Sequence, residues 1–368
     1  MELPSSHRLP LSWLLQAASP AIQYRAYAEI VPVEQRDPER LAELRQAALD
    51  YPIAKAIARK QRDDGLWGND LLTAAAPTKP GASDLGTIFQ YRRLLEMGWP
   101  SDQRPFRIAD RFLFRLLSRD EDPLLLAEFQ RPAKTDPGLG VWARAMGREG
   151  AAAALARAGR TEDPRLRGAA HRIASDVSTF LRSDVAEKLF RKVQGKTVLD
   201  PSVTPPSIFA MEMLAFMPEI QRERAGFVER LGQYLSAPAP RRAFSILAGK
   251  KPLKPVFVIL GEPMHADAQG RISDVPFATY WLELLARMGI VRQVVPASRT
   301  LARLFSECDD DGIWTPAGLR ALPKTTNPSV AHYFPLEGAG KSPAQRQTDV
   351  TFRLALIARL MGMPVEVT

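Results

Sequence analysis

Ser83-Asp84-Leu85-Gly86-Thr87-Ile88-Phe89-Gln90-Tyr91-Arg92-Arg93-Leu94-Leu95-Glu96-Met97-Gly98 is the stretch on which the fold turns, because the chain repeats its grammar. A Ser/Thr-Asp pair, an apolar segment carrying aromatics and a Met-Gly stop recur at Ser273-Asp274 to Met288-Gly289 and at Thr348-Asp349 to Met361-Gly362. From Asp to Gly the spacings are 14, 15 and 13 residues, each about four helical turns. Hydroxyl or carboxylate oxygens at the start can accept the first orphan amides of a helix, and Gly at the end supplies a left-handed cap. Pro205-Pro206-Ser207 through Met217-Pro218 reads as a fourth copy without the terminal Gly, and Leu139-Gly140-Val141-Trp142 onward as a degenerate fifth.

A second element precedes two of these helices. Ile53 to Lys60 runs into Gln61-Arg62-Asp63-Asp64-Gly65-Leu66-Trp67, and Leu301 to Phe305 runs into Glu307-Cys308-Asp309-Asp310-Asp311-Gly312-Ile313-Trp314. Asp-Gly turns the chain, and the large apolar face of Trp can staple that turn onto a neighbouring unit. Elsewhere, Ser19-Pro20, Asp37-Pro38 and Asp163-Pro164 each open a helix with a capping residue followed by Pro at the first helical position. The one strand-like window is Pro255-Val256-Phe257-Val258-Ile259-Leu260, too short for periodicity to decide. The expected class is all-α.

Composition agrees. The 368 residues are 45% hydrophobic and 25% charged, which excludes a disordered chain, and the 31 prolines recur along the whole length as punctuation between helices. Fifty Lys and Arg against 41 Asp and Glu give a net charge of +9. Of the basic residues, 38 are Arg and 12 Lys, a bias of composition as much as a binding patch. The lone Cys308 allows no intrachain disulfide and no Cys-x-x-Cys motif, which points to a reducing, cytoplasmic setting. No apolar run approaches the ~18–20 residues of a membrane helix, and the N-terminus lacks the basic start of a signal peptide.

Gln61, Asp64-Gly65 and Trp67, with Asp311-Gly312 and Trp314, resemble the repeats of the squalene cyclase and prenyltransferase superfamily, Cys308 standing where the second repeat would carry Gln. The resemblance covers residues 51–99 and 295–363. It implies an α/α-toroid of helical hairpins over 51–368, with inner helices around a central cavity. Residues 1–50 form a continuous HEAT-like helical extension in this reading, and 139–182 have the look of a HEAT-type pair. The resemblance also implies an apolar or isoprenoid-like small molecule in the cavity. Candidate ligand-facing residues are Asp84, Thr87 and Tyr91 on one inner helix, Asp274 and Tyr280 on another, and Asp349 on a third, with Glu262 and His265 from a bordering loop. The aromatics Phe89, Phe277, Trp281 and Phe352 and the polar Thr279 lie on the same helices.

The superfamily's catalytic motifs are missing. Its cyclases use an Asp-x-Asp-Asp acid, but Asp84, Asp274 and Asp349 each stand alone, and Glu307-Cys308-Asp309-Asp310 falls in the turn. Its protein prenyltransferases hold zinc through Asp, Cys and His, whereas the matching positions read Asp311, Ile313 and Phe352. A substitute zinc set of Cys308, Asp309 and His332 would satisfy ligand chemistry, but no metal or cofactor is expected. Gly338-Ala339-Gly340-Lys341-Ser342 lacks the spacing of a phosphate loop, because position 335 is Pro.

Two other functional classes remain open. Arg104, Arg107, Arg111 and Arg115 share a helical face, and Arg241, Arg242, Lys250, Lys251 and Lys254 form a second basic group; such surfaces suit a protein or nucleic-acid scaffold. A carbohydrate-active toroid would instead need facing carboxylates, such as Glu262 or Asp267 against Asp84 or Asp349.

Overall fold

The computed structural model describes residues 2–68, 70–72, 85–118, 134, 136–183, 189–338, 340 and 342–368. It is mostly helical. The helices are α1 (Leu11–Ala17), α2 (Pro20–Arg25), α3 (Pro38–Asp50), α4 (Pro52–Arg59), α5 (Thr87–Glu96), α6 (Arg104–Leu117), α7 (Pro137–Arg157), α8 (Pro164–Arg182), α9 (Ile208–Phe216), α10 (Pro218–Arg222), α11 (Phe227–Ser236), α12 (Val275–Arg287), α13 (Val295–Phe305) and α14 (Pro343–Leu360). A π-helical turn, Ala26–Ile30, continues α2.

Several helix limits follow from local chemistry. Asp37 and Asp163 accept the amides of Glu39 and Arg165, Ser207 that of Ala210, and Asp274 that of Phe277. The Met-Gly stops hold: Gly98, Gly289 and Gly362 have φ of 79°, 72° and 70°, the left-handed region that favours glycine. Two expected starts do not hold. Helix α14 begins at a Ser342/Gln345 capping box, so Thr348 and Asp349 lie inside it and cap nothing. Helix α5 begins at Thr87 behind Gly86, and Asp84 lies outside the described residues.

Short strands appear where none were expected. β1 (His7–Leu9) pairs in parallel with β6 (Val365–Val367), joining the two ends of the chain. β2 (Phe190–Val193) and β3 (Lys196–Leu199) form a hairpin, as do β4 (Ile246–Ala248) and β5 (Lys251–Leu253). Gln194 and Gly195 both have positive φ, the turn that matches strand twist in a tight hairpin. The window at 255–260 is not a strand; only Val258 bridges, to Ser207.

The two Asp-Gly-x-Trp turns are built alike. The Trp67 amide donates to the Thr87 hydroxyl at 2.9 Å and the Trp314 amide to the Thr351 hydroxyl at 3.0 Å. Both indoles are buried, Trp67 donating through Nε1 to the Ile57 carbonyl and Trp314 to Glu307. Gln61 pins the first turn by donating to the carbonyls of Gly65 and Pro105. Gly65 has φ of +89°, and a Cβ there would lie 2.8 Å from Ile108 Cγ2 and 2.9 Å from its carbonyl oxygen. Gly65→Ala should therefore cost about 1–3 kcal/mol through strain and overlap with α6, measurable as a lower urea midpoint at unchanged slope.

Packing order positions the interior. Helix α7 lies against α5 and α9, α9 against α12, α12 against α14, and α14 against α1, α2 and the π-turn. Arg25 of α2 reaches Glu96 at the end of α5 at 2.5 Å, and a Cβ on Gly98 would meet the Tyr24 ring at 2.7 Å. Helices α3, α6, α8, α11 and α13 lie next to these in sequence; α6 packs on α7 and α8, and α8 on α7, α9 and α11. One contiguous apolar core runs from Leu9 to Met363. The first fifty residues are part of it: Leu14, Ile22, Ile30 and Leu44 are buried in the same cluster.

Candidate functional site

Six helices meet where their charged side chains turn inward. Helices α5, α9 and α12 contribute Glu96, Glu212 and Glu283; α2, α5, α7 and α14 contribute Arg25, Arg92, Arg157 and Arg353. Arg353 donates to Asp349 at 2.8 Å and to Glu96 at 3.3 Å, and lies 3.7 Å from Glu283. Arg157 links Glu96, Glu212 and Glu283. Arg92 binds Glu212 and donates to the Tyr280 hydroxyl at 2.9 Å, while that hydroxyl donates to Glu212 at 2.7 Å. The Tyr333 hydroxyl donates to Glu283 at 2.9 Å, and the Arg353 guanidinium stacks 3.3 Å from the centre of the Tyr333 ring.

Burial weakens isolated charges and partners restore them. Burial alone would raise Glu283, but Arg287, Arg157, Arg25 and Arg353 hold its carboxyl well below the usual range. Arg25 is likewise disfavoured by burial, yet Glu29 outweighs this and raises it. Burial pushes Arg92 down to about 10 and Arg157 down to about 9. Such a network is costly to desolvate and costlier to leave half-paired.

His332 sits beside it in an aromatic setting, its ring 5.9 Å from Phe89 and 5.4 Å from Tyr280. It is fully buried, and among the described residues neither ring nitrogen has a hydrogen-bond partner. Burial, then the charge of Arg92 and neighbouring arginines, keeps it neutral.

Of the sequence candidates among the described residues, Tyr280 and Asp349 come to this interior, and Thr87, Tyr91, Asp274, Glu262 and His265 do not. Asp349 accepts the Leu336 amide at 2.6 Å as well as Arg353. Thr87 is spent on Trp67, accepting its amide and donating to its carbonyl. Tyr91 points to α6, donating to Asp110 at 2.7 Å. Asp274 caps α12 and accepts the Thr325 hydroxyl at 2.6 Å. Glu262 is buried and accepts the amides of Met264 and Ala266, whereas His265 is exposed at φ of 54° and Asp267 closes an exposed turn. The acid–base trio of that loop is therefore not assembled, nor do Glu262 and Asp349 face each other as free carboxylates. Asp84 lies outside the described residues.

The turn acids and the substitute zinc set also separate. Asp309 accepts the amides of Asp311 and Ile313, Glu307 pairs with Arg303, and His332 stands among the interior rings. Among the described residues no three His, Cys, Asp or Glu side chains are grouped to hold a metal.

A pocket of about 320 Å³ opens between α7, α8 and the start of α9. Trp142, Met146 and Glu149 line it from α7, Asp176 and Val177 from α8, and Ser207 from the cap of α9. The Ser207 hydroxyl donates to Glu149 Oε2. Burial pushes Glu149 up to about 7, with the charge of Asp176 adding and the Ser207 bond opposing. Burial also raises Asp176, against the pull of Arg172. A second cavity, about 400 Å³, lies beside Trp314 with Arg303, Glu307 and Lys324 in its wall; Arg303 and Glu307 already pair there.

On the outside, Arg104, Arg107, Arg111 and Arg115 are exposed along α6, while Asp110 turns inward to Tyr91 and Arg160. No helix among the described residues is long and apolar enough to cross a membrane. In comparison with known proteins, the chain matches no family model, no curated protein and no solved structure.

Proposed function

We propose that the hairpins close into an α/α-toroid of the terpenoid cyclase-like type, and that the chain binds a largely apolar small molecule beside the ring axis. The order of helix contacts and the Arg25–Glu96 and Ser19–Glu337 links between the N-terminal helices and the rest support ring closure. On this reading residues 1–50 supply the closing hairpin, continuous with 51–368. The axis carries the Arg–Glu network in place of an apolar lumen, so the ligand is assigned to the α7–α8–α9 pocket. The observation that carries the assignment is the pocket's make-up: apolar walls with two carboxyls of raised pKa and a hydroxyl converging on one space, the usual constitution of a ligand site.

The test is native mass spectrometry of the protein purified from its own host, followed by solvent extraction of bound molecules. A bound apolar species is expected in the parent protein and absent from Leu247→Trp, which fills the pocket from its half-buried wall. The variant should lose at least roughly tenfold in affinity, ~1.4 kcal/mol. Binding that survives in Leu247→Trp would place the ligand elsewhere.

The exposed arginine face of α6 favours a second reading, a scaffold for a polyanion. Nucleic-acid binding that weakens steeply with salt, and is lost when Arg104, Arg107 and Arg111 become Gln, would favour it over the first.

A further inference from the structure

Resting on the ligand-pocket reading above, we infer that this pocket selects an organic cation, an ammonium head carried on an apolar body. Among the described residues, the charged side chains in its wall are Glu149, Asp176 and Asp200, and no Lys, Arg or His lines it. In a chain with a net charge of +9, an acid-only cavity is a local reversal of sign and a trap for cations. Asp200 is held ionised by the amide and hydroxyl of Ser202. Glu149 is the inner acid. Ser207 donates to Oε2, no hydrogen bond to Oε1 is made by the described residues, and the side chain lines the cavity.

The remaining wall suits the rest of such a ligand. Trp142 offers an indole, the ring that attracts cations best. Met146, Val177 and Ile246 offer apolar surface for an alkyl or cyclic body. The Ser207 hydroxyl also accepts the Ala210 amide at 3.0 Å, so its proton is directed at Glu149 and the acid is fixed in place. Among the described residues an anionic ligand would meet three acidic side chains and no counter-charge in the wall, and a neutral one would leave the Glu149 carboxylate without a cation.

The experiment compares three probes of equal chain length, n-octylamine, 1-octanol and octanoate, by calorimetric titration at pH 8 in low salt, where the amine is protonated. The amine should bind about tenfold more tightly than the alcohol, and octanoate more weakly than either. Glu149→Gln keeps the Ser207 bond and should shrink the amine's advantage over the alcohol severalfold, more than any change in alcohol binding. Asp176→Asn, at the exposed rim, is a second variant that should shrink the preference partly. Lowering the pH to 6 should also shrink it, because Glu149 titrates at about 7 with Asp176, Arg172 beside it, Asp200 and Ser207 as the neighbouring polar groups. Alcohol or octanoate binding as tightly as the amine would overturn the cation assignment and leave the pocket reading intact. A preference for the amine that persists undiminished in both variants would also overturn it. Failure of all three probes to bind would overturn the pocket reading itself.

Discussion

Arg353→Met should destabilise the fold by about 3–5 kcal/mol, the cost of removing one partner from a buried ion network. Arg353 is fully buried, and its loss leaves Asp349, Glu96 and Glu283 short of a cation while their surroundings stay dry. It also removes the bond to the Tyr333 carbonyl at 2.5 Å and the stack on the Tyr333 ring. At roughly 1–2 °C per kcal/mol for a chain of 368 residues, melting should fall by about 3–10 °C. The same network sets the acid limit. The arginines around Glu283 hold its carboxyl below the ordinary range, so its contribution is complete above about pH 4.3 and is lost as pH falls through the lower, folded-state value. With Arg353 gone, Glu283 protonates sooner and the acid-unfolding midpoint should move up. A loss below about 1 kcal/mol, the range of solvated pairs, would mean that water reaches the network.

Glu337→Gln should act in the opposite direction, with a gain that grows from pH 4.5 and is complete above about pH 7. Glu337 is buried; it accepts the Ser19 amide at 2.6 Å and the Thr348 hydroxyl at 2.9 Å, both of which Gln can retain. Burial first, and then the charge of Asp349, push Glu337 up to about 7 from 4.5, against the pull of those two donors. Because the folded-state value is the higher one, the folded protein holds more protons than the unfolded chain between those limits. Stability through this group is undiminished below pH 4.5, falls as pH rises to about 7, and stays reduced above it. Gln has no proton to lose. At pH 8 the variant should be about 1–3 kcal/mol more stable than the parent, and at pH 4 nearly equal to it. Urea titrations at the two pH values measure the difference. Equal stabilities at pH 8 would show that Glu337 ionises without penalty.

Much of the helical layout was legible. Ser19-Pro20, Asp37-Pro38 and Asp163-Pro164 open helices, the Met-Gly stops close three others, and the paired Asp-Gly-x-Trp turns are equivalent down to the Trp amide on a Thr hydroxyl. These features are local: a cap, a φ sign and a turn depend on a few neighbouring residues. The site was legible only in part. The Thr348-Asp349 pair predicts both a helix start and an interior-facing acid; the capping box at Ser342 starts α14 two turns earlier, and Asp349 reaches the interior as a partner of Arg353. Glu212 and Glu283 were missed although each stands alone in an apolar helix, as in Ile208-Phe209-Ala210-Met211-Glu212-Met213-Leu214. A lone acid in such a run signals a buried charge that needs partners: Glu212 finds Arg92 far off in the chain, whereas Glu283 is held by Arg287 one turn on at 2.9 Å and by the Tyr333 hydroxyl from a distant segment.

The repeated stretch that begins at Ser83 and its two relatives thus decided by themselves that these helices end in left-handed glycines, while the expected cap holds only at Asp274. Where those helices point their charged faces was decided in three dimensions. Spacing along a helix reports which residues share a face, but whether that face meets water, an empty cavity or a neighbour's opposite charge depends on which helices come together. Here Arg25, Arg92, Arg157 and Arg353 converge on Glu96, Glu212 and Glu283 and take up the interior. Glu149 is left instead in the wall of a side pocket that no single segment of the sequence encloses.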